Sequence, residues 1–249
     1  MADPIIKKVA VGIPLKGHTP PKSYNDRMLM AFSLGIKEAE QRLNNEAVRY
    51  EFYWFFVGEI FIPFAREFLA DMALKYDCDY LFMIDDDMLA PLDLVYKLLA
   101  HDKDIVGALA FTRNPPHNPV IYQLKQGWDP VSRSRYYANQ HVLNYPRNAL
   151  VECDAVGFGA VLINTRLFKN MPKPWFMSSA SCGEDVLFCA KAREAGYKVY
   201  MDTSQKLGHL SDSIVATEEY SDLHNKMTEE EREQKYGKYT RYESLEKVR

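Results

Sequence analysis

The sequence predicts an α/β protein with a mixed central sheet flanked by helices. Three observations lead there. Apolar runs of strand length alternate with segments of helical period as far as residue 111. One run, Tyr80-Leu81-Phe82-Met83-Ile84, is apolar without a break, as a strand buried on both faces must be. Beyond residue 119, strand-like stretches follow one another with no helix between them, which calls for antiparallel members in the sheet.

In order, Val9-Ala10-Val11-Gly12-Ile13-Pro14 reads as a buried strand ending in a turn. Residues 26–43 carry Leu29, Phe32, Ile36, Ala39 and Leu43 at helical spacing. Residues 50–57 are aromatic and β-branched, a strand closed by Gly58-Glu59. After Pro63, the set Phe64, Ala65, Phe68, Leu69, Met72, Ala73 and Tyr76 keeps a helical period. The apolar run at 80–84 follows, then a helix over 92–101 opened by Pro91, and a strand over 105–111. Strands are expected at 120–122, 136–143 and 156–164, a helix at 185–195 and a strand at 197–201, with an irregular stretch reaching His209.

The domain so defined is 1–217. From residue 218 to 249 about half the residues are charged, which predicts a charged, partly helical tail. In it, Thr228 and Glu231 have the spacing of a capping box, and Lys235-Tyr236-Gly237-Lys238-Tyr239-Thr240-Arg241-Tyr242 interleaves basic and aromatic residues.

The 249 residues carry a net charge of -3, with 47% hydrophobic and 26% charged residues, so nothing overall attracts nucleic acid or an anionic membrane. No apolar run reaches the roughly 18 residues of a membrane span. The N-terminus lacks the order of a signal peptide. Cys78, Cys153, Cys182 and Cys189 contain no C-x-x-C pair, so buried thiols in a reducing, cytoplasmic setting are expected rather than disulfides or structural zinc.

The chemistry concentrates at Ile84-Asp85-Asp86-Asp87-Met88. A turn or a helix cap explains one aspartate, but three adjacent carboxylates at the end of a buried strand repel one another, and desolvation adds to the cost. A hard cation would supply the missing charge. The carboxyl end of a strand is also where open α/β sheets hold ligands. A second acidic pair, Glu184-Asp185, opens the helix after Gly183; alone it reads as helix capping. His209, in Leu207-Gly208-His209-Leu210, is the third element.

Taken together, these segments resemble the GT-A class of nucleotide-sugar-dependent glycosyltransferases, similar to family 2-like enzymes, over residues 8–210. Residues 80–88 look like the strand and DxD turn of that class. Residues 183–200 are similar to its acceptor-side segment, and Ala155 to Ile163 to the strand before it. The resemblance implies a hexosyltransferase with a Rossmann-like GT-A domain. Asp87 and His209, with Asp85 as a third ligand, would bind Mn²⁺ or Mg²⁺ at the diphosphate of a nucleotide sugar. Asp85 would contact ribose or a metal-bound water, and Asp86 would orient the donor sugar. Asp185 would be the base that deprotonates an acceptor hydroxyl, with Glu184 as its alternate and inversion as the outcome. Pro14, Lys16 and Arg66 are candidate contacts to the nucleotide; an exposed helical arginine is the other reading of Arg66. The second strand ends in Val57-Gly58-Glu59, not the Asp-Asp-Gly-Ser turn common among inverting members, which leaves UDP and GDP both open.

Two rivals share fragments of this pattern. A phosphohydrolase of the haloacid-dehalogenase type also has Asp-x-Asp after a strand, but Leu89 stands where that family has Thr or Val. A nucleotidyltransferase needs a G-x-G-T-R turn that residues 12–17 lack. Residues 112–148 hold Arg113, Lys125, Arg133, Arg135 and Arg147 against Asp129 alone, with Trp128, Tyr136 and Tyr137 nearby. That patch makes a polyanionic acceptor such as modified DNA an alternative, though not the favoured one. The sequence names no acceptor.

Overall fold

The computed structural model describes residues 3–15, 22–129, 133–179, 182–210, 215–228, 230, 231 and 234, with side chains for all of these except 22–32, 129, 134 and 135. The chain opens with β1 (Ile5–Leu15), α1 (Lys22–Leu43), β2 (Val48–Gly58), α2 (Ile62–Lys75) and β3 (Tyr80–Ile84). A two-residue strand β4 (Met88–Leu89), α3 (Leu94–Ala100) and β5 (Ile105–Leu109) follow. Next come a hairpin of β6 (Ile121–Asp129) and β7 (Ser134–His141), then β8 (Leu150–Cys153), β9 (Ala155–Val156), β10 (Ala160–Asn164) and the short α4 (Arg166–Asn170). α5 (Glu184–Glu194), β11 (Val199–Lys206), β12 (Gly208–Leu210), β13 (Val215–Ala216) and α6 (Glu218–Lys226) follow in turn.

The central sheet has seven strands in the order β2-β1-β3-β10-β5-β11-β8. β1 is parallel to β2 and β3, β10 is antiparallel to both β3 and β5, and β11 is parallel to β5 and antiparallel to β8. The sheet is therefore mixed, as the run of helix-free strands requires. Alternation along β1 divides the core in two. Val9, Val11 and Ile13 pack with Ile36, Leu94 and Leu98 beneath α1 and α3. Ala10, Leu81 and Met83 pack on the other face with Leu69, Ala73 and Phe188 of α2 and α5. All five residues of β3 are buried, in keeping with its unbroken apolar sequence.

Three expectations are corrected. The strand expected at 156–164 is two strands: β9 pairs with β6, and β10 joins the central sheet. The strand at 197–201 runs on to Lys206 through a register shift after Asp202. The polar string Asp202-Thr203-Ser204-Gln205 hid it, yet Asp202, Thr203 and Gln205 are buried and Asp202 accepts hydrogen bonds from Ser204. In α2 the core face consists of Pro63, Ala65, Arg66, Leu69, Ala70 and Ala73, whereas Phe64, Phe68 and Tyr76 are exposed.

Packing does not change where composition does. Glu218 of α6 is buried and bound by Arg147, Lys206 and Tyr145, so α6 lies on the body. Thr228 and Glu231 exchange the hydrogen bonds of a capping box. The basic-aromatic stretch 235–242 lies outside the described residues. Among the described residues no helix is long and apolar enough to cross a membrane.

Candidate active site

β1, β2, β3, β5 and β11 all end at one edge of the sheet, the position at which α/β sheets bind ligands. The three aspartates follow β3 there. A tight turn fixes them: the Asp85 N–H donates to Gly159 O at 3.0 Å, and the Met88 N–H to Asp85 O at 3.3 Å. β4 then pairs antiparallel with β12, setting Met88 opposite His209, and the Leu210 N–H donates to Asp87 O at 2.9 Å. A two-residue strand thus brings together two residues that are far apart in sequence.

His209 Nε2 lies 3.4 Å from Asp87 Oδ2. Its other ring nitrogen, Nδ1, is 2.6 Å from Phe111 O, and a carbonyl only accepts, so Nδ1 carries the hydrogen. Nε2 therefore faces the carboxylate, where a proton or a bound cation can bridge the two. Orientation of the ring through a backbone carbonyl is typical of a metal-binding histidine. Imidazole with carboxylate suits a cation such as Mn²⁺. Arg113 also pairs with Asp87 Oδ2. Burial pushes the Asp87 carboxyl upward, but the His209 hydrogen bond and the charges of His209 and Arg113 outweigh it and hold the pKa below the usual value. Among the described residues no group of three or more His, Cys, Asp or Glu side chains converges on one point. Asp87 and His209 meet; Asp85 is directed elsewhere.

Asp85 belongs to a second network. Arg66, 3% exposed, donates from Nη2 to Asp85 Oδ1 at 2.8 Å and lies 3.4 Å from Glu184 Oε1 through Nε. Its guanidinium sits 5.2 Å from the centre of the Phe158 ring. Arg66 is therefore a buried bridge, and the exposed reading of it is set aside. Burial works against its charge, yet Asp85, Glu184 and Asp185 together keep its pKa raised. Arg66 Nη1 is buried without a hydrogen-bond partner. An unmet donor of this kind costs about 1–3 kcal/mol unless a ligand oxygen satisfies it.

Burial raises the Asp85 carboxyl to about 7, against the pull of Arg66 and with the help of Asp87, Glu184 and Asp185. Asp185 is raised as well, by burial and then by Glu184, with Arg66 and two backbone N–H groups opposing. One of those is the Val186 N–H, 2.7 Å from Asp185 Oδ1. Gly183 leaves room for this folded-back carboxylate, since a Cβ there would stand 2.7 Å from Asp185 Oδ1.

The structure therefore joins Asp85, Arg66, Glu184 and Asp185 in one network and Asp87 with His209 in another, and Asp85 and Asp87, two apart in the same turn, link the two. Asp86 is buried, 5% exposed. Pro14 is buried in β1, opposite Val57, and Lys16 lies outside the described residues. Arg113 and Phe158 were not singled out as site residues. Arg113 counted only toward a basic patch, and nothing in the spacing tied it to Asp87. That patch is partly consumed within the protein, because Arg113 pairs with Asp87 and Arg147 with Glu218 and Asp222. A cleft of about 730 Å³ at the far end of α5 is lined by Tyr137, Glu152, Asp154, Arg193 and Tyr197 but by none of the site residues. Four of its charged residues pair internally, Arg193 with Asp154 and Lys198 with Glu152.

The architecture has counterparts among solved structures. GalNAc-T7 with UDP, GalNAc and Mn²⁺ aligns with 82% of this chain and 43% of its own at 14% identity and a TM-score of 0.50. The fold is of the GT-A type. A197 from STIV aligns at 16% identity over 83% of this chain and 86% of that one, with a TM-score of 0.49. The catalytic domain of Drosophila beta1,4-galactosyltransferase 7, in complex with xylobiose, aligns at 16% identity over 83% and 71%, with a TM-score of 0.45. At such identities the likeness is one of fold alone. The chain spans less than half of the GalNAc-T7 chain. No family model and no curated protein matches the sequence.

Proposed function

We propose that the chain is a metal-dependent glycosyltransferase that moves a hexose from a nucleoside-diphosphate sugar to an acceptor hydroxyl with inversion. The observation that carries this reading is the contact of Asp87 with His209 at the carboxyl edge of β3, beside the Asp85–Arg66–Glu184 network. Asp87 and His209 would hold Mn²⁺ or Mg²⁺, and a cation bound there stabilises the charge that gathers on the departing diphosphate.

The protein's own groups do the remaining work. Asp185 takes the proton of the acceptor hydroxyl as its oxygen bonds to the anomeric carbon and the bond from that carbon to the diphosphate oxygen breaks. Its raised pKa makes it a stronger base than an ordinary carboxylate. Glu184 anchors Arg66, whose unmet Nη1 donates to a donor oxygen. Asp85 contacts the ribose side, Asp86 orients the sugar, and Pro14 and Lys16 border the nucleotide. GalNAc-T7 was crystallised with UDP and Mn²⁺, so UDP-sugars with Mn²⁺ come first in any trial.

The reading is tested by incubating the protein with UDP- and GDP-sugars, with Mn²⁺ or with EDTA, and measuring nucleoside diphosphate released to water as default acceptor. Release that needs metal and follows one nucleotide is expected. Hydrolysis of a simple phosphate ester, with every nucleotide sugar left intact, would replace it with the phosphohydrolase reading.

A further inference from the structure

Helix α2 has two apolar faces, and the body covers one. Ala65, Leu69 and Ala73 enter the core, whereas Phe61, Phe64, Phe68 and Tyr76 form an outward stripe, 65, 67, 48 and 43% exposed. The stripe borders a sheet edge. Tyr76 lies against Tyr53 and Phe55 of β2, with ring centroids 6.3 and 5.4 Å apart. β2 ends the central sheet and, among the described residues, pairs with β1 alone. It is 11 residues long and contains no proline, and Ile60, just past its end, is 46% exposed. A long edge of this kind is a template for pairing with another strand.

We propose that this edge is a homodimer interface, in which β2 pairs antiparallel with β2 of a second copy and the α2 stripes pack on each other. The two-fold axis of such a pair stands perpendicular to the sheet, so each sheet face continues across it and the two α2 helices meet on the same side. The sequence is self-complementary in one register. Centred on Trp54, it sets Phe52 opposite Phe56 and Tyr53 opposite Phe55 of the second copy. A phenylalanine carries roughly 150–250 Å² of surface, so covering Phe61, Phe64 and Phe68 in both copies removes on the order of 700 Å². Together with two strand edges, that approaches the roughly 1,200 Å² at which stable interfaces begin.

Sedimentation equilibrium of the full chain at micromolar concentration tests this. Twice the chain mass is expected. The variant Phe64→Lys/Phe68→Lys, altered only at exposed positions, should sediment as a monomer with unchanged circular dichroism. Phe56→Lys, an exposed position on the strand itself, should weaken the dimer by roughly tenfold or more. This strand variant decides the matter if the helix variant does not fold. A wild-type chain that is monomeric at every concentration overturns the proposal, as does a dimer that Phe56→Lys leaves unchanged.

Discussion

On the proposed mechanism, substituting Asp185 separates chemistry from binding. Asparagine keeps its shape and an acceptor for the Val186 N–H but cannot take a proton, so transfer should collapse while donor affinity holds. Transfer within about tenfold of wild type, a loss of only about 1.4 kcal/mol, would remove Asp185 from the role of base. The pH profile adds an independent check. A base works when deprotonated, and burial with Glu184 raises the pKa of Asp185, so activity should fall on acidification through a limb above the ordinary carboxylate range. A limb at the usual carboxylate value would contradict that environment. At this scale the acidic triplet, Glu184-Asp185 and His209 were legible, because strand-end carboxylates and a helix-opening acidic pair carry local signals. Arg66 was only half legible: its position off the periodic aromatic stripe suggested exposure, but the aromatic stripe is itself the outer face. Arg113 meets Asp87 only through the fold of the loop after β5, which no local pattern encodes.

Elements follow the sequence where burial is apolar and depart from it where burial is polar or contacts are non-local. β1, β3 and α5 stand where their periods put them, while β11 runs on through buried Asp202, Thr203 and Gln205, which read as loop. β4 and β12 are too short to have a period, yet their pairing seats His209. The packing of α1 against the segment before α3 makes a prediction of its own. A Cβ on Gly35 would stand 2.4 Å from the carbonyl oxygen of Leu92, a backbone atom with little room to move. Gly35→Ala should therefore cost about 1–3 kcal/mol by overpacking, more than its gain in helix propensity of about 1 kcal/mol. A lowered Tm in calorimetry is expected; an unchanged or higher one would show that α1 does not approach that segment.

For the whole molecule, the alternation of strands and helices disclosed a mixed α/β sheet, but the order of its strands depends on pairings between distant segments. Those pairings gather the carboxyl ends of five strands at one edge, with the Asp87–His209 contact on it. A donor site assembled around that contact has to bind nucleotide and metal together, because the diphosphate needs the cation and Asp87 with His209 leave much of the cation's coordination to other ligands. The direct test is calorimetric titration of the chain with UDP, GDP and their sugar conjugates, first with Mn²⁺ and then with EDTA, alongside Asp87→Ala. Binding of one nucleoside diphosphate that requires Mn²⁺ and disappears in EDTA and in Asp87→Ala is the predicted result. Binding of none of them in either condition, or affinity unchanged by EDTA and by Asp87→Ala, would contradict a metal-centred donor site at this edge.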